Sequence, residues 1–350
     1  MSALGITLIC VCGLIVTVVL LLSVGPTSFL VGLLAAALPA LPLVGVYLWL
    51  DRHEPEPLGM LLFAFGWGAT VATAGALLLS LPPTLVVAAA GGDPETFGAV
   101  VVAPVVEESF KALGVLAIVL VGRRELDGLV DGFVYAGLVG VGFAFTENIL
   151  YLGSALLDSG PGGLLGTFLL RGVVSPFAHP LFTAAFGIAL VLGSRRRGAA
   201  RYGLPLLGLG AAMGLHALWN GMAVGPFMGF AGTFVLLWPP TFLTFVAVAV
   251  IARQREARMI RQNVTFYARN GFLTPAEALM LQSLPSRRDA VRRAAATGGP
   301  RAARATARFQ VMAVRLAHLR QRILAGTAPV DVRVREQHLL DGLMAMRRGA

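Results

Sequence analysis

Apolar residues gather into eight runs over the first 251 positions, near residues 4–24, 28–50, 58–80, 98–121, 128–153, 165–193, 203–224 and 227–251. A helix rises 1.5 Å per residue, so about 20 residues cross the roughly 30 Å hydrocarbon core of a bilayer. The runs are too continuous for the alternating strands of an outer-membrane barrel. They predict an all-α fold, a polytopic transmembrane helix bundle of about eight spans. Past residue 251 the pattern turns polar and becomes helical in another way. Thr274, Pro275 and Glu277 read as the capped first turn of a helix. Phe309, Met312, Leu316, Leu319 and Ile323 recur at spacings of three and four among arginines, an amphipathic stripe. The chain therefore divides into a membrane domain, 1–251, and a mostly helical tail, 252–350, with "ATGGPRA" as a linker inside the tail. So small a tail is expected to lean on a partner or on the membrane surface to fold stably. No internal repeat is visible, which disfavours transporter architectures built from repeated halves.

Composition agrees with the pattern. Hydrophobic residues make up 57% of the chain and charged residues 13%, with a mean hydropathy of +0.78, against about a quarter charged in soluble domains. The net charge of +10 is concentrated in the tail, which carries 19 of the 28 basic residues and six acids. No aromatic-interleaved patch or nucleic-acid motif accompanies those arginines, so the expected partner is an anionic inner leaflet and not nucleic acid. Arg52, the pair Arg123 and Arg124, and Arg195, Arg196, Arg197 and Arg201 mark alternate loops, which places both termini in the cytoplasm. Cys10 and Cys12 lie in the first run, so no disulfide framework or cysteine zinc site is expected. The first run lacks a basic leader and reads as a retained span. Trp49 and Trp238 read as interfacial anchors, and Gly137, Gly140 and Gly142 as close-packing sites.

What changes the picture is a set of ionisable residues inside four successive runs. "APVVEESFKALG" carries Glu107, Glu108 and Lys111; "FAFTENILY" carries Glu147 and Asn148; "SPFAHPLFT" carries His179; "GLHALWN" carries His216 and Asn220. Each such charge costs about 2.5–3.5 kcal/mol on insertion scales, so the group needs partners and a use. Glu107 and Glu108 lie four and three residues before Lys111, which can sit beneath both carboxylates. Lys111 is the chain's single lysine; every other basic residue is arginine. A compact ammonium suits a buried place beside carboxylates better than a guanidinium does.

Two adjacent carboxylates in a low dielectric do not both ionise cheaply, which yields an acid and a base side by side. With His179 and His216 as donors to an oxyanion, and Asn148 and Asn220 as orienting groups, the set can drive water onto an amide. Zinc held by Glu108, Glu147, His179 and His216 is the alternative. The histidines fall on different helices and no HExxH pair is present, which favours direct glutamate catalysis. Of the two adjacent acids, Glu108 is expected to show the stronger effect. A proton-coupled transporter would stagger its acids through the membrane, and a scaffold would use the cluster for assembly alone.

At these residues the chain resembles the PrsW family of intramembrane proteases, relatives of the CAAX prenyl endopeptidases and the Abi proteins. The resemblance rests on "EESFK", "FAFTEN", the histidine of "FAHPLFT" and "HALWN" in order on successive helices, with "DRHEPEP" as a loop signature. It implies an intramembrane endopeptidase of a bacterial-type cell membrane. Its substrate would be a single-span membrane protein, an anti-sigma factor in the founding case. By position, Glu107, Glu108, Glu147, His179 and His216 inherit the catalytic roles, with Lys111, Asn148 and Asn220 in support. The family has been described as both glutamic and zinc-dependent, so this resemblance leaves the metal open.

Overall fold

A computed structural model describes residues 3–121, 128–224, 227–328 and 331–348, and among them every regular element is helical. Arg123 and Arg124, which enter the loop reading, lie outside the described residues. The chain forms two compact units, one of residues 1–50 and 56–247, the other of residues 51–55 and 248–350.

The first unit is an all-α membrane bundle. Its helices are α1 (Ala3–Leu50), α2 (Leu58–Ala89), α3 (Ala103–Val121), α4 (Leu129–Phe168), α5 (Ala178–Ser194), α6 (Ala200–Val224) and the first part of α7 (Phe227–Arg269). Among the described residues three stretches, Ala3–Leu50, Leu58–Ala89 and Leu129–Ser194, are long and apolar enough to cross a membrane by length and composition. The first and third exceed one crossing, and glycine divides them. Gly25 (φ 74°) breaks α1 and Gly160 (φ 64°) breaks α4, a backbone region that residues with a Cβ rarely enter.

The break at Gly160 corrects the sixth run. Instead of one helix over 165–193, a short helical arm follows Pro161 and widens into a π-helical turn, Leu169–Val174. It stops at Ser175, ahead of Pro176, and α5 starts anew at Ala178. Arg171, eleven residues past Gly160, reaches Glu147, thirteen residues before it, so the arm folds back along α4. Non-helical backbone at membrane depth is tolerated where protein surrounds it or where it lines a cavity.

Two helices occupy the centre. Nearly every side chain of α4 from Val130 to Asn148 and of α5 from Ala178 to Ala184 is buried. Glycine permits this closeness. A Cβ on Gly142 would stand 2.0 Å from the Phe65 carbonyl oxygen, and one on Gly140 would stand 2.6 Å from Pro180. Backbones in hydrocarbon approach this far only through small residues. Trp238 is not an interfacial anchor. It is 4% exposed and packs against Phe177, Phe182 and Trp219.

The second unit has its own core, so its stability does not depend on a foreign surface alone. Ile260, Val264 and Tyr267 of α7 meet Leu281 of α8 (Pro275–Leu281), Phe309, Val314 and Leu316 of α9 (Leu284–Leu324), and Leu343 of α10 (Val332–Arg348). Thr274 and Glu277 form the capping box their spacing predicts, with the Glu277 N–H donating to Thr274 Oγ1 at 3.2 Å and the Thr274 N–H donating to Glu277 Oε2 at 2.7 Å. "ATGGPRA" is no extended linker. Helix continues through it except at Gly299 (φ 70°), where α9 bends ahead of Pro300.

Candidate active site

Four helices bring the polar cluster together. In α3, Lys111 is fully buried and its Nζ donates to Glu108 Oε1 at 2.8 Å and to Glu107 Oε2 at 3.4 Å. The ammonium also meets His179 Nδ1 of α5 at 2.9 Å and lies 3.7 Å from the centre of the Phe143 ring. Glu108 is enclosed, 1% exposed, and accepts from His216 Nδ1 of α6 at 3.0 Å and from Thr183 Oγ1 at 3.2 Å. Glu107 is engaged more loosely, with His216 Nε2 3.9 Å from its Oε2. His179 Nε2 contacts Glu147 Oε2 at 2.8 Å. Because each carboxylate only accepts, the partners assign an N–H to His216 Nδ1 and to His179 Nε2.

Sequence spacing does not reveal Arg171, which lies inside the sixth apolar run. Its guanidinium pairs with Glu147, its Nε donates to Asn148 Oδ1 at 2.7 Å, and it stacks 3.9 Å over Tyr151. A lone arginine in "FLLRGVV" is as costly in a span as Glu147, and that cost is the signal that could place it. Thr183 gives no such signal, though it lies one helical turn after His179. Asn220 does not join the cluster. Its Nδ2 donates to the Ala99 carbonyl at 2.8 Å, an oxygen of the π-helical turn Gly98–Val102 that precedes α3. Wide turns leave such carbonyls in need of a donor, so Asn220 holds the approach to Glu107 instead of facing it.

Beside the cluster lies a cavity of about 360 Å³. Leu20, Leu77, Leu81 and Leu150 line it with apolar surface, and Glu107, Glu147, Thr146 and Tyr151 bring polar groups to it. Glu107 therefore faces the cavity while Glu108 stands behind it, held by Lys111, Thr183 and His216. Sequence alone places the emphasis on Glu108, which is not among the residues that line the cavity.

Zinc is the alternative reading of these residues, and the donor set can be compared with what zinc takes. Glu107, His179 and His216 each offer a ligand atom, and the three atoms lie within 4.8 Å of one another. Two imidazoles and one carboxylate with room for a water suit a hydrolytic zinc site. Glu108 on His216 Nδ1 is the kind of outer carboxylate that orients such an imidazole, whereas His179 has Glu147 on Nε2 and the Lys111 ammonium on Nδ1 and would have to release one of them to bind. The fitting trio contains Glu107, whereas the sequence-based ligand set holds Glu108 and Glu147.

Replacing Arg171 with methionine is expected to lower activity about 10–100-fold. It strips the partner from Glu147 and so frees His179 to turn, the loss seen when outer groups of a site are removed. Initial rates would show it, and an Arg171→Lys variant should recover part of the loss by restoring charge without the bidentate reach.

No solved structure matches the chain. Two curated relatives do, each called Protease PrsW. The protein from Geobacillus kaustophilus is 29% identical over 156 residues, 44% of this chain and 62% of the relative. That from Oceanobacillus iheyensis is 28% identical over 227 residues, 64% of this chain and 94% of the relative. The match therefore spans less than two thirds of the first relative and nearly all of the second. The family model described as PrsW family intramembrane metalloprotease matches residues 56–252. That interval is more than half of the chain and holds every residue of the buried cluster, so the chain belongs to the PrsW family.

Proposed function

We propose that the protein is an intramembrane endopeptidase that hydrolyses a peptide bond of a membrane-embedded or membrane-proximal substrate. The observation that carries this reading is the position of Glu107 and Glu147 at the wall of a mostly apolar cavity, with Lys111, the counter-charge of Glu107, fully buried. An apolar lining accepts a hydrophobic segment, and the carboxylates supply the polar chemistry where that segment must open. A single-span protein such as an anti-sigma factor fits this description. With both termini cytoplasmic, the cavity faces the outer half of the bilayer.

Each group then has a task. Glu107 takes a proton from the attacking water as its oxygen bonds to the scissile carbonyl carbon. His216 and His179 already direct their N–H groups to Glu108 and Glu147, so meeting the developing oxyanion takes a second proton on an imidazole, and His216 Nε2, beside Glu107, is the nitrogen placed to carry it. Glu107 returns the proton to the amine nitrogen as the C–N bond breaks. Lys111, which meets both carboxylates, holds the two acids together.

A second reading, in which zinc takes part, is favoured by the closeness of the three ligand atoms and by the family's description. Glu107, His179 and His216 would hold the ion. When bound, it supplies a Lewis acid for the carbonyl and lowers the pKa of a bound water.

The test is cleavage by the purified protein in proteoliposomes that contain single-span substrates, with new termini located by mass spectrometry. Cuts in or beside the substrate's membrane segment are expected. Intact substrates throughout, with a correctly folded protein, would refute the protease reading. A chelator arm separates the two chemistries, because loss of cleavage that zinc restores selects the metal and indifference selects the carboxylates.

A further inference from the structure

A second cluster of metal-type ligands lies in the other unit and shares no residue with the buried membrane cluster. Glu54 comes from the segment 51–55, Glu256 from α7 and His318 from α9, and each offers a ligand atom within 4.8 Å of the other two. We propose that Glu54, Glu256 and His318 bind a divalent transition-metal ion, zinc by their donor types.

The geometry of the imidazole carries the argument. Its Nδ1 lies 2.9 Å from Glu54 Oε2, a hydrogen bond in which the carboxylate accepts, and its Nε2 faces Glu256 Oε1 at 3.8 Å. Either a proton on Nε2 or a metal ion must stand between that nitrogen and the carboxylate, because two bare acceptors repel. The separation is too long for a hydrogen bond, which would draw the atoms to about 2.8–3.0 Å. It is close to the spacing across a metal. Zinc holds nitrogen and oxygen ligands at about 2.0–2.2 Å, so that tetrahedral neighbours stand about 3.4 Å apart.

Burial strengthens the case. The Glu256 side chain is 8% exposed and that of His318 is 2% exposed. Glu256 Oε2 is shielded from solvent and has no hydrogen-bond partner among the described residues, a state that costs free energy unless a ligand satisfies it. The surrounding charge also admits a dication. Asp51 and Glu54 add to the negative field at Glu256, and Arg287 and Arg253 offset part of it. Arg287 directs its Nη1 to the His53 carbonyl at 2.8 Å and its Nε to the Leu281 carbonyl at 3.2 Å. As a ligand, Glu54 would exchange its hydrogen bond to Nδ1 for the ion. Bound metal would join three segments far apart in sequence and brace the second unit.

The experiment must separate this site from the buried membrane cluster. Full-length protein in detergent is stripped with a chelator, reloaded with zinc, desalted, and its zinc content measured per chain. The double variant Glu107→Ala/His318→Ala is expected to hold one equivalent less than Glu107→Ala, and Glu256→Gln one less than the wild type. In the wild type, zinc should slow tryptic cutting within residues 248–350 at least several-fold, and in Glu256→Gln it should not, which guards against a variant that loses zinc by misfolding. Equal zinc contents in the paired proteins, with tryptic cutting of the wild type indifferent to zinc, would overturn the proposal; His318 would then carry a proton between two carboxylates.

Discussion

Exchanging Glu107 for glutamine is expected to slow cleavage by about 10²–10⁴-fold, the range that a positioned general base contributes. The substitution conserves shape, and Lys111 keeps its 2.8 Å contact with Glu108, so the fold should persist. Substrate photo-crosslinked into the cavity should be captured at the wild-type level while turnover disappears. Glu108→Gln should behave differently. Glu108 already serves three donors and is shut away from the cavity, so its loss should loosen His216 and reduce thermal stability together with the rate. A Glu107→Gln protein that cleaves at the wild-type rate would remove the residue from the chemistry and, with it, the mechanism in which Glu107 activates water.

Replacing Lys111 with methionine is expected to be the most damaging change to the fold. Its ammonium is the buried counter-charge of Glu107 and Glu108 and a donor to His179. Methionine fills much the same volume and supplies no charge. Removing one member of a buried ion pair costs about 3–5 kcal/mol, because the remaining charge is left without compensation. A fall in apparent melting temperature in detergent and a lower yield of folded protein would register this. Lys111→Arg should not restore the wild type, since the larger planar guanidinium has no room between Glu108, His179 and the Phe143 ring. The double variant Lys111→Met/Glu108→Gln offers a finer check. If the cost is electrostatic, losing both charges should be less harmful than losing the ammonium alone.

Much of the buried cluster is legible in the sequence, because hydrocarbon makes ionisable residues conspicuous. Glu107, Glu108, Lys111, Glu147, His179 and His216 stand out against their runs, and the structure brings their side chains to one place. Arg171 escapes for an instructive reason. It has no ionisable neighbour one helical turn away in its own run, and the hairpin at Gly160 that carries it back to Glu147 cannot be seen from hydropathy, since the arm is as apolar as the helix it doubles along. The break at Ser175–Phe177 is hidden in the same way, with Pro176 its single sign. Asn220 shows the opposite error. Its one-turn spacing from His216 suggests a shared task, yet its amide serves a carbonyl that a π-helical turn leaves exposed, and turn width is not written in residue type. Trp238 is misplaced by sequence because an indole suits an interface and a core equally well, and tertiary neighbours decide between them. In the tail, the capping box is readable because its two partners lie three residues apart. The cluster of Glu54, Glu256 and His318 is not, because its members come from three distant segments of the chain.

The burial of Lys111 also makes the molecule its own conformational reporter. It carries the chain's single lysine side chain, and that amine is wholly enclosed. Amine-directed reagents and lysine-specific endoproteinases should thus ignore this position in the folded state and find it once the bundle opens. Cutting there would leave two fragments of about one third and two thirds of the chain. Acylation kinetics at one atom can accordingly follow how often the centre of this bundle breathes, without an introduced label.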